Sequence, residues 1–284
     1  MNRTMITATN TLNQLQSKID QISDNIANVD TTAYKKIQTN FNDLLTQSFD
    51  NQPSRSKEIG RLTTPGIRQG TGARISQAQL VLAQGALKTT DRNLDVAFTK
   101  EDLFFTVSVQ DDKGANTRLT RDGAFYLSPN AKNKNSEQMM LVTSAGHRVL
   151  DEYGEPILIE GSIKDIKVSE EGLLRVDTEE FGEKSFGLGI VSVKKPQFLD
   201  QLGGNLLGLP DNMRGLGVTE DDIMTALTGD LRNEIAVRQG VLESSNVDLS
   251  KEMTDLINVQ RHYQFQSRAV TMADQMSGLI NGIR

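Results

Sequence analysis

The sequence predicts an α+β fold. It consists of an antiparallel, mainly β domain and long N- and C-terminal α-helices that pair as a coiled-coil-like inner domain. The distribution of helix breakers is the first reason. No glycine precedes Gly60, none lies between Gly240 and Gly278, and all six prolines fall between Pro53 and Pro210. Glycine and proline disfavour helix interiors, so the ends predict helices and the middle predicts strands and turns.

The second observation is an apolar stripe near the N-terminus with the spacing of a helix that packs on another helix. Its members recur alternately three and four residues apart: Leu12, Leu15, Ile19, Ile22, Ile26 and Val29. This is the a/d seam of a heptad pattern, and the positions between are almost all polar. So narrow a stripe predicts helix-on-helix packing.

A second long helix is predicted from about residue 247 to residue 279. Ser245–Asp248 resembles a capping box, with Asp in place of the usual Glu or Gln. Apolar side chains follow at helical intervals: Leu249, Met253, Leu256, Ile257, Tyr263, Val270, Ala273, Met276 and Ile280. Gln260 lies among them, and both a solvent-facing role and a hydrogen bond to another molecule remain open for it.

The third observation is a series of short β-forming runs in the middle of the chain. Leu103–Val109, Met139–Thr143 and Ile163–Val168 are examples, and glycine-containing turn signals separate such runs. Many short strands at close spacing predict an antiparallel β domain rather than alternating strands and helices. A short helix is also expected within Thr219–Arg232.

These signals divide the chain into three regions. Residues 1–45 together with 240–284 are expected to form the terminal helical inner domain. Residues 46–90, polar and rich in breakers, are expected to be a linker or extended arm. Residues 91–239 are expected to form the β-rich outer domain, with a Gly-rich loop at 203–217.

Composition narrows the classes of function. The hydrophobic fraction of 37% and aromatic fraction of 5% predict a thin core, as in an elongated molecule or one that completes its burial against neighbours. The net charge of -6 disfavours a nucleic-acid partner. The chain has no cysteine, which excludes disulfides and thiolate chemistry. We expect neither a cleaved signal peptide nor a membrane-spanning segment.

No catalytic motif stands out in the sequence, so we expect no enzyme, no cofactor, no metal site and no small-molecule substrate. His147 and His262 are the only histidines and have no metal-ligand spacing. The acidic run Glu220–Asp222 is more typical of a helix start than of a cation site. A hydrolase that uses paired Asp and Glu side chains remains a weak alternative.

Six short sequence motifs, the family words, carry a resemblance to a known family. In chain order they are Ser23–Lys35 (SDNIANVDTTAYK), Thr90–Phe98 followed by Phe104–Phe105, Leu119–Phe125 (LTRDGAF), Leu141–Leu150, Arg238–Asp248 and Glu252–Tyr263. Together they resemble the bacterial flagellar axial proteins, and the length is similar to that of rod-type members. Ala33 stands where the family usually has glycine.

The resemblance implies a structural subunit of the flagellar basal-body rod or rod–hook region. It implies an inner α domain formed by both termini, an outer β domain, and export by the flagellum-specific apparatus without a cleaved signal. The implied partners are further copies of the chain and other rod or hook subunits, stacked into a hollow shaft that transmits torque and passes exported subunits. An exported β-rich binding module with a helical stalk remains the alternative.

On this interpretation the terminal helices are the assembly elements. The N-terminal stripe and the C-terminal apolar positions would supply the buried area between subunits. Asn25, Asn28 and Thr31 would make hydrogen bonds that set the register, and a simple helix end followed by a turn remains the alternative for these three.

Overall fold

The structure is a computed structural model that describes residues 3–43, 46–49, 67–70, 73–111, 114–130, 138–210 and 212–282. Most of the expected arm's first half, residues 50–66, lies outside the described residues. So do residues 1–2, 44–45 and 283–284 of the expected inner domain. The described chain divides into two compact units.

The first unit combines the two ends of the chain, as residues 1–27, 37–79 and 248–284. It holds α1 (Arg3–Ala27), β1 (Ile37–Asp43), β2 (Thr46–Phe49), β3 (Ile67–Gly70), β4 (Ala73–Leu80) and α4 (Leu249–Gly282). The strands form two two-stranded sheets, β1 with β4 and β2 with β3. Helices α1 and α4 pack against each other. The expected arm at 46–90 therefore contains strands in its described part.

The second unit comprises residues 28–36 and 80–247 and is mainly β. Its strands are β5 (Leu87–Thr89), β6 (Val96–Phe98), β7 (Leu103–Asp111), β8 (Gly114–Thr120), β9 (Phe125–Pro129), β10 (Gln138–Thr143), β11 (Arg148–Val149), β12 (Leu158–Glu160), β13 (Ile163–Val168), β14 (Leu173–Thr178), β15 (Gly182–Gly187), β16 (Ile190–Val193), β17 (Asp200–Gly203), β18 (Leu206–Gly208), β19 (Met224–Ala226), β20 (Val237–Gln239) and β21 (Val241–Glu243). Short helices α2 (Met213–Leu216) and α3 (Glu220–Ile223) and 3₁₀ turns at Pro196–Phe198 and Gly229–Glu234 connect some of them.

The strands pair antiparallel throughout the second unit, as the sequence predicts. The largest sheet has the order β12-β10-β11-β7-β8-β18-β17, with β16 and β9 paired to β7 and β10, and β19 to β16. A three-stranded sheet has the order β13-β14-β15, and β20 pairs with β6 and β21 with β5. Strands β20 and β21 therefore pair with strands that lie 139 to 156 positions earlier in the chain.

The two phenylalanines of β7 enter different cores, because neighbouring side chains on a strand point to opposite faces. Phe105 joins the main core and lies against Phe98 and Phe125, with ring centroids 4.2 and 5.0 Å away. Phe104 joins a smaller cluster that includes Leu119 and Leu207. The paired Phe of the sequence thus packs both faces of the central strand.

Several local expectations are corrected. Helix α1 ends at Ala27, so Val29 lies beyond the helix in a turn. The short helix expected within Thr219–Arg232 is confirmed as α3, and β19 and a 3₁₀ turn follow it. Ser245 does not cap α4, because the Asp248 carboxylate accepts a hydrogen bond from the Lys251 amide at 3.2 Å.

The segment 203–217, expected as a Gly-rich loop, contains β18. Its glycines form the turn into that strand: Gly203, Gly204 and Asn205 have φ of 86°, 59° and 58°. Positive φ suits glycine and is tolerated by asparagine, so this run makes a tight β17–β18 turn. Leu206 and Leu207 then pair with β8 and are buried.

Candidate assembly site

The N-terminal stripe lies on the less exposed face of α1. Ile22 is 4% exposed and Ala8 6% exposed, and they bracket three partly buried members of the stripe: Leu12, Leu15 and Ile19. Ile26 is also partly buried. The a/d spacing therefore predicted which face of α1 turns inward, and it missed Ala8 because a single methyl group adds little to an apolar pattern.

Asn25 ties the last turn of α1 to the first turn of α4. Its side-chain amide donates to the Ile37 carbonyl at 3.0 Å and to the Glu252 carboxylate at 3.3 Å. The Asn25 amide oxygen accepts from the Ile37 amide at 3.2 Å. Asn25 and Glu252 are 2% and 6% exposed, so these bonds replace lost hydration. Asn25 therefore bonds within its own chain.

Asn28 and Thr31 lie in the turn after α1. The Thr31 hydroxyl donates to the Asn28 side-chain oxygen at 3.1 Å, and the Thr31 amide donates to the Asn28 carbonyl at 3.3 Å. These bonds correspond to the helix-end and turn interpretation of the two residues.

Helix α4 has its own inward seam with a seven-residue repeat. Glu252, Val259 and Ala273 are buried, and Leu256, Gln266, Val270 and Ser277 are partly buried. Three predicted residues, Leu256, Val270 and Ala273, lie on this seam. Tyr263, seven residues after Leu256 and seven before Val270, has the same spacing and is 36% exposed. Because the last turn of α1 meets the first turn of α4 and the helices pack on each other, they run antiparallel.

The remaining predicted residues of α4 are exposed, although Ile280 continues the seven-residue spacing of the seam after Ala273. They are Leu249, Met253, Ile257, Gln260, Met276 and Ile280. Exposed fractions of the apolar members range from 45% for Met253 to 68% for Ile280. Phe265, Met272 and Leu279, which the sequence analysis missed, are 57–69% exposed. Their exposure follows from the position of the seam, because these three side chains lie on other faces of α4.

The end of this helix pair where α1 begins and α4 ends carries few charges. Residues 4–17 of α1 contain no charged side chain, and residues 269–282 of α4 contain only Asp274. A helix face that remains in water is normally rich in Lys and Glu, whereas the centres of protein interfaces are depleted of charge. Exposed apolar side chains in such a setting are typical of surfaces that bind other proteins.

The second unit contains a buried ion cluster around Glu243. The Glu243 carboxylate accepts from Lys35 Nζ at 2.7 Å and from Arg121 Nε at 2.6 Å. It also accepts from the Gly85 amide at 2.8 Å. All three charged side chains are at most 4% exposed.

The cations of this cluster are also held by backbone carbonyl groups. Lys35 Nζ donates to the carbonyls of Leu82 and Ala83 at 3.2 and 2.8 Å. Arg121 donates to the carbonyls of Lys100 and Leu103 at 2.6 and 3.0 Å. Burial, and next the positive charge of Arg121, lower the pKa of Lys35, while the bond to Glu243 opposes them.

Lys35, Arg121 and Glu243 come from three of the family words in the sequence. Lys35 ends the first word, Arg121 lies in Leu119–Phe125, and Glu243 lies in Arg238–Asp248. Nothing in these three segments alone assigns the residues a role. Charge type alone would not have paired them, because only the fold brings together positions 208 apart.

Two further observations concern metal binding and membrane insertion. Among the described residues, no three His, Asp or Glu side chains group closely enough to hold a metal ion. None of the described helices combines the length and hydrophobicity needed to cross a bilayer.

Comparison with known proteins matches both ends of the chain and then its whole length. The family profile described as "Flagella basal body rod protein" matches residues 5–35, and that described as "Flagellar basal body rod FlgEFG protein C-terminal" matches residues 238–283. The flagellar hook-basal body complex protein FlhP of Bacillus subtilis is 44% identical over 286 aligned residues, covering all of both chains. This chain belongs to the flagellar basal-body rod protein family.

Other relatives agree with this assignment. The flagellar basal-body rod protein FlgG of Borreliella burgdorferi is 31% identical and covers all of this chain and 99% of its own. The FlgG protein of Bacillus subtilis is 29% identical over 97% of each chain. Rod proteins are structural components of the flagellar basal body and not enzymes, as the sequence analysis predicted for this chain. The two profile matches span α1 with Lys35, and Glu243 with α4.

Proposed function

We propose that this protein is a structural subunit that polymerises through its terminal helices into the hollow shaft of the flagellar rod or rod–hook region. The exposed apolar surface of α4 carries the proposal. Eight large apolar side chains on one helix, Leu249, Met253, Ile257, Phe265, Met272, Met276, Leu279 and Ile280, are each at least 45% exposed in the single chain.

Burial of such side chains is favourable enough to drive assembly. Moving one Leu, Ile or Met from water to a fully buried site contributes roughly 1.5–3 kcal/mol. These side chains are about half exposed, so each retains part of that free energy for contact with another subunit. Repetition of a contact that does not close on itself produces a filament.

We further propose how the chain reaches the rod and which subunits it contacts there. Export by the flagellar apparatus delivers the subunit without a cleaved signal, and other rod or hook subunits form the layers above and below it. The β unit stiffens the wall and transmits torque. Family membership favours this role over a β-rich binding module with a helical stalk.

Removal of α1 tests the proposal. A chromosomal variant that lacks residues 1–27 should be absent from isolated basal bodies, and its cells should not swim. The purified variant should retain slow amide exchange in the second unit, where strands β5–β21 and both core clusters lie. Swimming cells with the truncated chain in their basal bodies would contradict the proposal.

A matched control is Tyr153→Ser in the second unit. Tyr153 is 82% exposed and so contributes little to stability. The control variant should be incorporated into basal bodies and should support swimming.

A further inference from the structure

Two methionines lie at the centre of an exposed apolar stripe on α4. Met272 and Met276 are 57% and 58% exposed, and the exposed side chains of Phe265 and Leu279 continue the stripe on either side. At ~100° per residue, these four side chains lie within ~60° of one another around the helix axis, on a side that the inward seam does not occupy. The two thioether groups are therefore open to reagents in solution.

These two side chains are the most accessible sulfur groups among the methionines with a described exposure. The chain has nine methionines and no cysteine, so methionine is its only sulfur-containing residue. The next most exposed are Met253 and Met139, at 45% and 37%. Because susceptibility to oxidation follows exposure, Met272 and Met276 should react first with an oxidant in solution.

Oxidation changes such a stripe from apolar to polar. The methionine sulfur attacks one oxygen of hydrogen peroxide, so that an S–O bond forms as the O–O bond breaks. The proton of the transferred oxygen moves to the departing hydroxide, which leaves as water. The sulfur is oxidised by two electrons and the peroxide is reduced. Burying the polar sulfoxide without a hydrogen bond lowers the equilibrium constant of a contact by roughly tenfold or more.

We propose that Met272 and Met276 are oxidation sites that control whether a subunit can join the shaft. Oxidants of the peroxide class convert them to sulfoxides in a free subunit, and the oxidised subunit is excluded from assembly. This inference rests on the proposed function, in which other subunits cover the exposed apolar surface of α4. In the assembled shaft the same sulfur atoms are covered and protected. Reduction of the sulfoxides restores methionine, so the exclusion is reversible.

A competition between two chains in one cell tests the proposal. The double variant, Met272→Leu with Met276→Leu, removes both sulfur atoms and keeps apolar side chains of similar volume. Its expression is induced together with that of the unaltered chain, and the cells receive hydrogen peroxide while both chains are being made. Both chains then meet the same oxidant and the same neighbouring subunits. Mass spectrometry of their differing peptides gives the ratio of the two chains in isolated basal bodies and in whole cells.

Without peroxide, both chains should enter basal bodies in proportion to their abundance. The dose is set so that most of the unaltered chain in whole cells carries a sulfoxide at Met272 or Met276. The ratio in basal bodies should then shift several-fold toward the double variant. Within the unaltered chain, sulfoxides at these two positions should be depleted in basal bodies, a readout that does not depend on the variant. An unchanged ratio, or equal sulfoxide content in basal bodies and whole cells, overturns the inference.

The matched control is Met139→Leu, which removes an exposed sulfur atom from β10 in the second unit. In the same competition, peroxide should deplete this variant as much as the unaltered chain. A gain as large as that of the double variant would overturn the assignment of the sites to α4. Failure of the proposed function is a distinct outcome, because the unaltered chain would then be missing from basal bodies before any peroxide is added.

Discussion

Lys35 and Glu243 lie 208 positions apart in the sequence, yet their side chains form a buried ion pair of 2.7 Å. The segment after α1 and the segment before α4 are thereby joined within the β unit. The Ala33 amide strengthens this junction by donating to the Glu243 carbonyl at 2.8 Å. Both ends of the β unit are therefore fixed at one cluster.

Glu243→Gln should destabilise the β unit strongly. The change keeps the shape of the side chain but removes the carboxylate that directly contacts the buried charges of Lys35 and Arg121. Breaking a buried ion pair from one side typically costs about 3–5 kcal/mol. We expect a loss of that size in the free energy of unfolding, measured by urea denaturation followed by circular dichroism.

Glu160→Gln is the control for this change. Glu160 also contacts a lysine, with Lys184 Nζ at 3.3 Å, but both side chains are about 40% exposed. Exposed pairs contribute little, so the unfolding midpoint should barely move. Equal effects of the two substitutions would show that the buried cluster does not stabilise the unit.

Ala33 is held in a left-handed backbone conformation, with φ of 58°, which glycine adopts more readily than alanine. Ala33→Gly relieves about 1–2 kcal/mol of strain. It also adds roughly 0.5–1 kcal/mol of backbone entropy cost, and removes a buried methyl group worth about 0.8 kcal/mol. These contributions nearly cancel, so the stability should change by less than about 1 kcal/mol.

Ala33→Val should behave differently, because a β-branched side chain at positive φ clashes with its own backbone. Ala33 is also 3% exposed, which leaves no space for two further methyl groups. We expect a clear drop in melting temperature for Val and little change for Gly. A Val variant as stable as the original chain would contradict the conformation assigned to this residue.

The sequence predicted what depends on local pattern. The stripe from Leu12 to Ile26 identified the inner face of α1, and the absence of breakers identified both helices. It could not predict where α1 ends, because Val29 continues the apolar spacing while the backbone already turns. The spacing of Leu249, Met253 and Ile257 also appeared to define one face of α4. In the fold, Val259 and Ala273 mark the inward face, and the three larger residues remain exposed.

Pairings across long sequence distances could not be predicted from one sequence. Nothing local connects Lys35 with Glu243, or Arg232 with the Gly172 carbonyl to which it donates at 2.8 Å. The Asn25–Glu252 bond likewise depends on how α1 and α4 meet. These contacts arise from tertiary packing, which composition and periodicity do not encode.

Gly123→Ala should prevent the turn before β9 from forming as it does now. A Cβ atom at Gly123 would lie 1.7 Å from the Val96 carbonyl oxygen, a backbone atom that cannot move without disturbing β6. We expect a large loss of stability, seen as a lower melting temperature or a failure to accumulate soluble protein.

Gly278→Ala is the matched control. Gly278 lies in α4, and a Cβ atom there meets nothing within 4 Å. Replacing a helix-interior glycine by alanine typically stabilises a helix by roughly 0.5–1 kcal/mol. The two substitutions should therefore have opposite signs in the purified chain, and equal destabilisation would contradict the described packing.

Asp122, in the turn after β8, gives the β unit a specific dependence on pH. Burial raises the pKa of its carboxyl group above the ordinary value, and the charge of Asp95 adds to the effect. Between pH 3.8 and the raised pKa, the folded state binds more protons than the unfolded state. The contribution of this group to stability is therefore complete below pH 3.8 and is lost as pH rises through the raised pKa.

Asp122→Asn removes this loss while keeping an oxygen that accepts from the Ala124 amide, a bond of 3.1 Å in the native chain. We expect the melting temperatures of the two proteins to be similar at low pH and the Asn variant to become the more stable as pH rises to neutral. Thermal unfolding of both proteins across that range measures the difference directly. All other carboxyl groups are present in both proteins, so a difference that is constant with pH would show that Asp122 is not the group responsible.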